Sequence, residues 1–120
     1  MTILPAPHPA ASLIGAPTDI GAGAHGASMG PEALRVAGLQ PALERHGLQV
    51  VDRGNLNGPA NPWLPPVDGY RHLPEVVQWN RLVFDAVYAE LQQGRLPILL
   101  GGDHCLGLGS ISAVARHCAE

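Results

Sequence analysis

The stretch that decides the fold is Leu96 to Cys105, which reads LPILLGGDHC. An apolar run bounded by turn residues is typical of a strand buried on both faces of a parallel sheet. Pro97 lies near the start of this strand, where a missing N–H is tolerated. The two glycines that follow allow a tight turn. Asp103 and His104 are therefore predicted at the carboxyl end of a strand, which is where open α/β sheets bind their ligands.

Outward from this stretch, the chain alternates between segments with strand and helix patterns. Two further strands are predicted over Ala11–Ala16 and Leu48–Asp52, and helices are predicted from Pro31, over Ala42–His46, over Pro74–Gln93 and over Gly107–Cys118. Residues 1–10 are proline-rich and predict a loose lead-in, while residues 53–72 predict a long surface loop. The β-α-β-α-β-α order predicts one α/β domain, over residues 1–120, with a parallel sheet and right-handed crossovers.

Helical spacing of apolar residues predicts which faces of the last two helices are buried. The face of the first of them comprises Val76, Trp79, Val83, Ala86, Val87 and Leu91. The face of the second comprises Ile111, Val114, Ala115 and Cys118.

Charge and cysteine usage narrow the class of protein. The formal net charge is −3 and all seven basic residues are Arg, with no cluster of positive charge. This argues against nucleic acid as a partner, because neutralising phosphates needs clustered Lys and Arg. Cys105 and Cys118 form no disulfide framework and are expected to be free thiols in a reducing cytoplasm. We expect no signal peptide, since the N-terminus lacks a charged and then apolar pattern, and no membrane span.

A glycine-rich loop follows the first strand and contains Gly21-x-Gly23-x-x-Gly26. This spacing matches the dinucleotide fingerprint, which requires a strand directly before it and a helix directly after it. Here several residues intervene on each side, so a loop flanking a different site is the favoured interpretation. A nucleotide-binding module built on these three glycines stays as an alternative.

Asp103 and His104 are the main candidates for chemistry. A histidine at a strand end is a suitable metal ligand, and an adjacent carboxylate can orient an imidazole. A hydrogen-bonded structural histidine is equally compatible with the sequence. Cys105 stands near a helix N-terminus, but a small buried residue is favoured over a nucleophile. His25 is expected on the same sheet edge as His104, whereas the remaining histidines, His8, His46, His72 and His117, are expected to be solvated.

Four motifs, in order, resemble the arginase (ureohydrolase) family. They are Ile14 to Pro17 with the glycine-rich loop, the GPEALRVAGL segment at residues 30–39, the VDRGNL segment at residues 51–56, and GGDHCLGLGS at residues 101–110. The last resembles the family's metal signature and is the most specific of the four. The resemblance covers about residues 13–117.

The resemblance implies a three-layer α/β fold, here an incomplete N-terminal portion with about three strands. It implies an enzyme that uses two Mn²⁺ ions and a bridging hydroxide to hydrolyse L-arginine to L-ornithine and urea. His104 matches a family metal ligand, and Asp103 matches a position that supports the ligands. The family's other ligands lie in later D-x-H-x-D and D-x-D motifs, and neither occurs in these 120 residues. The catalytic residues are therefore expected outside this sequence.

The lone chain is consequently expected to be inactive, with a C-terminal half or a homo-oligomer as a possible partner and a small guanidino compound as substrate. Agmatinase-type relatives share the metal motifs and remain an alternative. A non-catalytic interaction module is a further alternative, because half a sheet exposes a strand edge and apolar faces.

Overall fold

The computed structural model describes residues 10–120, so the predicted lead-in lies outside the described residues apart from Ala10. Three strands alternate with four helices: β1 Ala11–Ala16, α1 Gly30–Val36, α2 Leu39–Arg45, β2 Val50–Asn55, α3 Leu73–Gln92, β3 Leu96–Gly101 and α4 Gly107–Ala119. Short 3-10 turns, Ala27–Met29 and His104–Leu106, precede α1 and α4. None of the helices in the described range is long and apolar enough to cross a membrane.

The three strands form one parallel sheet in the order β2-β1-β3. Ala11 pairs with Val50 on one side and with Leu96 on the other, which places β1 at the centre. Every residue of β1 is buried, because strands flank it on both sides and helices cover both faces. β1 is therefore the strand of this sheet that is buried on both faces.

Helices cover the sheet on both sides, giving three layers. Successive strand residues point to opposite faces, and Gly15 of β1 approaches Arg35 of α1, whereas Ser12 contacts Glu90 of α3. The main core lies between the sheet and the α3/α4 layer and consists of Ile14, Ala16, Ile20, Trp79, Val83, Val87, Leu106 and Ala113. The predicted three-layer α/β fold with a partial sheet of three strands is confirmed, as is the buried face of α3.

The prediction that β3 is buried on both faces is wrong. Leu96 is 48% exposed, and the next three residues are only half-buried. Only Leu100 of this strand is fully buried. The physical reason is position, because among the described residues β3 has a neighbouring strand on one side only.

The predicted buried face of α4 is also wrong. Ile111 is 71% exposed and Val114 43% exposed, and Ala115 and Cys118 are likewise exposed. α4 instead packs on α3 through a narrow strip of small residues, Gly109 and Ala113. The spacing does place apolar residues on one face of α4, but no described residue covers that face, so it is exposed instead of buried.

Two element boundaries differ from the prediction. α2 begins at Leu39 rather than Ala42, because Gly38 takes a left-handed conformation (φ 93°) that separates the two short helices and leaves Pro41 inside the first turn of α2. β2 runs over Val50–Asn55 rather than Leu48–Asp52, since its pairing with β1 continues as far as Gly15 opposite Asn55.

Candidate functional site

The candidate site lies where β3 ends at the carboxyl edge of the sheet. Gly102 follows the strand with φ 86°, and a Cβ there would lie 2.6 Å from the carbonyl oxygen of Ala16 and 2.8 Å from that of Thr18. Only glycine allows the end of β3 to press this closely against the chain leaving β1. The turn thereby delivers Asp103 and His104 to the edge at which the sequence placed them.

The start of α1 forms a second wall of this turn. A Cβ at Gly30 would lie 2.1 Å from the carbonyl oxygen of Gly101. Pro31 follows in the first turn of the helix and is buried. The Gly-Pro pair therefore packs the helix start directly onto the end of β3.

Asp103 ties the turn to the glycine-rich loop after β1. Its N–H donates to the carbonyl of Thr18 (3.2 Å), and its Oδ2 accepts the N–H of Gly21 at 2.5 Å. A Cβ at Gly21 would lie 2.9 Å from that same oxygen, so a larger residue there would displace the carboxylate of Asp103. Asp103 is thus a positioning residue, because its two hydrogen bonds fix the backbone directly before His104. Its support of a metal ligand stays a prediction.

His104 is exposed and opens the 3-10 turn that leads into α4. Residues 10–120 contain no group of three or more His, Cys, Asp or Glu side chains that could hold a metal ion. A single imidazole is far short of the several ligands that a stable metal centre requires. The described residues by themselves therefore do not fit a metal centre, and His104 is one candidate ligand without companions.

His25 lies in the loop that Asp103 anchors, on the same edge of the sheet. Its side chain is 84% exposed, with Nδ1 3.9 Å from Asp19 Oδ2. The ring packs against Trp63, with the centroids 4.2 Å apart and the planes tilted by 50°. The imidazole thus lies beside Asp19 and Trp63 and is largely exposed to solvent.

The geometry argues against nucleotide binding by Gly21, Gly23 and Gly26. Gly21 has given its N–H to the carboxylate of Asp103, so a phosphate there would meet a negative charge. α1 begins only at Gly30, after a 3-10 turn, so the glycines do not form its N-terminus. The fingerprint's defining feature, a pyrophosphate on a helix start, has no counterpart here.

Cys105 is half-buried beside the same carboxylate, with Sγ 4.0 Å from Asp103 Oδ2. Burial and the negative charge of Asp103 raise the pKa of its thiol above the ordinary value. The thiolate is the nucleophilic form, and both effects disfavour it. The geometry therefore supports the prediction of a small packing residue over a nucleophile.

His72 is a residue that sequence reasoning missed, because it was expected to be solvated and is instead buried. Its Nδ1 lies 2.7 Å from the carbonyl oxygen of Ile20, and its Nε2 lies 3.0 Å from the N–H of Leu64. Its Nε2 also lies 3.1 Å from the carbonyl oxygen of Leu64, so both ring nitrogens face backbone groups. His72 thus joins the long loop before α3 to the loop after β1. No sequence signal marks it, since both of its partners are backbone groups.

The long loop has two further attachments. Asn61 donates to the backbone carbonyl and the carboxylate of Asp19, at 3.0 and 3.1 Å. Trp79 of α3 donates its indole N–H to the carbonyl of Pro59 at 2.8 Å. The loop therefore lies against the loop of His25 as a fixed part of the site's surroundings.

Two of the family-like motifs meet at the end of β2. Arg35 donates to both carboxylate oxygens of Asp52, at 2.8 and 3.1 Å, and to Asn55 Oδ1 at 2.6 Å. The hydrogen bond from Arg35 lowers the pKa of Asp52, and the same bond raises the pKa of Arg35. These motif residues brace α1 against β2, so their function is structural.

The comparisons with known proteins agree with this arrangement. The model of the Arginase family matches residues 9–120. An arginase of Brevibacillus brevis is 38% identical over 106 residues, which is 88% of this chain and 36% of that protein. The native arginase structure from Bacillus caldovelox superposes with a TM-score of 0.83 at 34% identity, covering 92% of this chain and 38% of that one.

A third similar structure is the arginase of Entamoeba histolytica in complex with L-ornithine. It has a TM-score of 0.78 and 29% identity, over 89% of this chain and 36% of that one. The chain thus spans little more than a third of the length of the relatives that it matches. Since the family model covers nearly every residue and the fold agrees, the chain belongs to the arginase family.

Proposed function

We propose that this chain supplies His104 to the metal centre of an arginase-type hydrolase, which cleaves the guanidinium group of L-arginine to give L-ornithine and urea. Family membership supports the hydrolase class. The arginase names of the similar proteins, and the L-ornithine bound to one of them, support this substrate over other guanidino compounds. Mn²⁺ is proposed as the metal on the family resemblance.

The observation that carries the proposal is the construction of the turn after β3. Gly102, Asp103 and the start of α1 fix this turn from three directions, yet the imidazole next to them is left exposed. A histidine with only a packing function would be expected to be buried and hydrogen-bonded, as His72 is. A fixed turn that presents an exposed imidazole is suited to binding a metal ion.

The chain alone offers one ligand in the described range, so it does not by itself fit a two-metal centre. The remaining ligands, the acid–base residues and the groups that bind the amino acid are proposed to come from the part of the family fold that this chain does not span. We propose a cytoplasmic location, which the two free cysteines, Cys105 and Cys118, support.

The test is a urea-release assay in Mn²⁺, run on the lone chain and on the chain assembled with the rest of an arginase-family fold. We expect no turnover from the lone chain and urea release from L-arginine by the assembly. His104→Asn should lower that activity by about 100-fold or more, since even the partners of metal ligands are worth 10–100-fold. His46→Asn, at the exposed end of α2, is the control and should leave it unchanged.

Three results would count against parts of the proposal. Turnover by the lone chain would refute its inactivity. Full activity of His104→Asn in the assembly would refute the ligand role. Release of urea from agmatine but not from L-arginine would favour the agmatinase-type alternative.

A further inference from the structure

The four asparagines of the chain differ in how the fold holds their side chains. Asn55, Asn61 and Asn80 form side-chain hydrogen bonds to other described residues, at 2.6, 3.1 and 2.7 Å respectively. Asn57 is exposed in the irregular stretch after β2, and its side chain has no such bond within residues 10–120. Among the described residues, the amide of Asn57 is therefore the one that nothing holds in place.

Gly58 follows Asn57, and packing against α3 requires a glycine there. A Cβ at Gly58 would lie 2.7 Å from Cζ2 of Trp79 and closer still to two other atoms of the indole ring. Trp79 is 3% exposed and belongs to the main core, so the ring has no room to withdraw. No side chain therefore stands between the Asn57 amide and the N–H of Gly58, and this N–H has no backbone acceptor among the described residues.

An asparagine followed by a glycine can react with its own backbone. The deprotonated backbone nitrogen of the glycine attacks Cγ of the asparagine, since no Cβ blocks the approach. A C–N bond forms, the bond from Cγ to Nδ2 breaks, and the departing nitrogen takes up a proton and leaves as ammonia. Water then opens the resulting succinimide at either carbonyl and gives aspartate or isoaspartate. Water is the one co-reactant, and no group is oxidised or reduced.

We propose that Asn57 is a site of spontaneous deamidation in the folded protein. The proposal stands on the juxtaposition of an exposed amide that no described residue bonds and a glycine that the ring of Trp79 requires. The chain retains this reactive pair because the core admits no larger residue at position 58. The inference is independent of the proposed function.

The isoaspartyl product changes the backbone beside α3. It adds one methylene to the main chain between residues 57 and 58. Gly58 packs against the indole of Trp79, and Pro59 accepts the indole N–H at 2.8 Å. Since a close-packed core tolerates little change in volume, the longer backbone displaces at least one of these two contacts. The attachment of the long loop to α3 is thereby loosened.

Either product also places a new carboxylate close to an existing one. Asn57 and Asp19 line the same cavity of about 210 Å³, together with Thr18 and Asn61. Asp19 accepts a hydrogen bond from Asn61, and Thr18 accepts one from the N–H of Asp103. Like charges in one site destabilise each other, and the reaction adds one negative charge to a formal net charge of −3. The modification therefore weakens the contacts of the loop that adjoins the candidate site.

The experiment incubates the full chain, folded in buffer and unfolded in urea, and locates the mass gain of amide-to-acid exchange by fragment-ion mass spectrometry. In the folded chain we expect this gain at Asn57 before it appears at Asn55, Asn61 or Asn80, which serve as internal controls. The rate should rise about tenfold per pH unit, because the deprotonated backbone amide is the nucleophile. Asn57→Gln should lose the reaction at this position, since its longer side chain closes a less favourable ring.

Two results would overturn the deamidation proposal. One is a rate at Asn57 in the folded chain more than about 100-fold below the rate in the unfolded chain, since Asn57 would then react only after local opening. The other is earlier modification of a different asparagine in the folded chain. Freshly purified Asn57→Asp has the new charge without the added methylene, so the isolated isoaspartyl protein should have a lower urea midpoint than this variant. Equal midpoints would refute the displacement at Trp79.

Discussion

Arg35 contacts three side-chain oxygen atoms at the end of β2 and is itself mostly buried. The paired bonds to Asp52 use the planar guanidinium in a way that lysine cannot reproduce. Gly15 leaves the space for this contact, since a Cβ there would lie 2.0 Å from Asn55 Oδ1. Three separate motifs of the sequence therefore meet at a single guanidinium.

Replacing Arg35 with Ala should lower the free energy of unfolding by about 1.5–3 kcal/mol, the range for hydrogen bonds to charged groups. The measurement is the urea midpoint at neutral pH. Arg45→Ala, at the end of α2, should change it by less than about 0.5 kcal/mol. Equal midpoints for the two variants would contradict the structural function assigned to Arg35.

At the scale of secondary-structure elements, Glu90 joins three segments to α3. Its carboxylate accepts hydrogen bonds from Ser12 of β1 (2.8 Å), Arg53 of β2 (2.6 Å) and Arg95 before β3 (3.1 Å). Burial alone would raise the pKa of Glu90, but the bonds from Arg53, Ser12 and Arg95 outweigh it and lower the pKa. The ionised form is therefore the one that stabilises the fold.

The lowered pKa fixes the sign of a pH dependence. A group with a depressed folded-state pKa stabilises the protein above its unfolded pKa, and this contribution is lost as the pH falls through the folded value. Glu90→Gln should cost about 1.5–3 kcal/mol at pH 7. The difference from wild type should shrink between about pH 5 and pH 3, near the ordinary glutamate pKa. Urea titrations across that range test this, and a constant difference would contradict it.

The contact between α3 and α4 depends on one glycine. A Cβ at Gly109 would lie 2.4 Å from the backbone oxygen of Asn80, whose side-chain oxygen also accepts the Gly109 N–H at 2.7 Å. Gly109→Ala should therefore destabilise the protein by about 1–3 kcal/mol, as overpacking does. Gly107→Ala is the matched control, since its Cβ would meet only the end of Ile111 at 4.0 Å. Gly107 has helical backbone angles (φ −60°, ψ −28°), so Ala there should stabilise the protein by about 0.4–1 kcal/mol through the unfolded chain, as measured by the urea midpoint.

Local patterns predicted much of this architecture. β1 lies over Ala11–Ala16 as predicted, and α3 buries the predicted face, because period and turn residues are local signals. The placement of Asp103 and His104 at the strand end was equally predictable. The contact of Asp103 with Gly21 was not, since it joins residues distant in sequence through a backbone N–H. Likewise, nothing local reveals that His72 is buried or that no residue between 10 and 120 covers the apolar face of α4.

At the scale of the whole molecule, the exposed apolar face of α4 should bind an apolar dye, and this binding can be measured. Exposed apolar surface binds apolar dyes, and contiguous apolar patches differ in this from the singly scattered apolar residues of an ordinary protein surface. Ile111→Glu with Val114→Glu should therefore reduce the fluorescence of an added naphthalene sulfonate dye, and Val36→Glu should leave it near the wild-type level. Equal fluorescence from both variants would show that the dye binds elsewhere.

The order of the strands in the sheet has a consequence for synthesis on the ribosome. β1 leaves the ribosome before either of its neighbours, and one of these is the distant β3, since Ala11 pairs with Leu96. Both edges of the central strand are filled only after β3 has been synthesised, and pairing over such a separation in sequence is intrinsically slow. Until then its apolar residues are open to chaperones or to neighbouring nascent chains. The strand that is most deeply buried in the finished molecule is thus the one exposed for longest during translation.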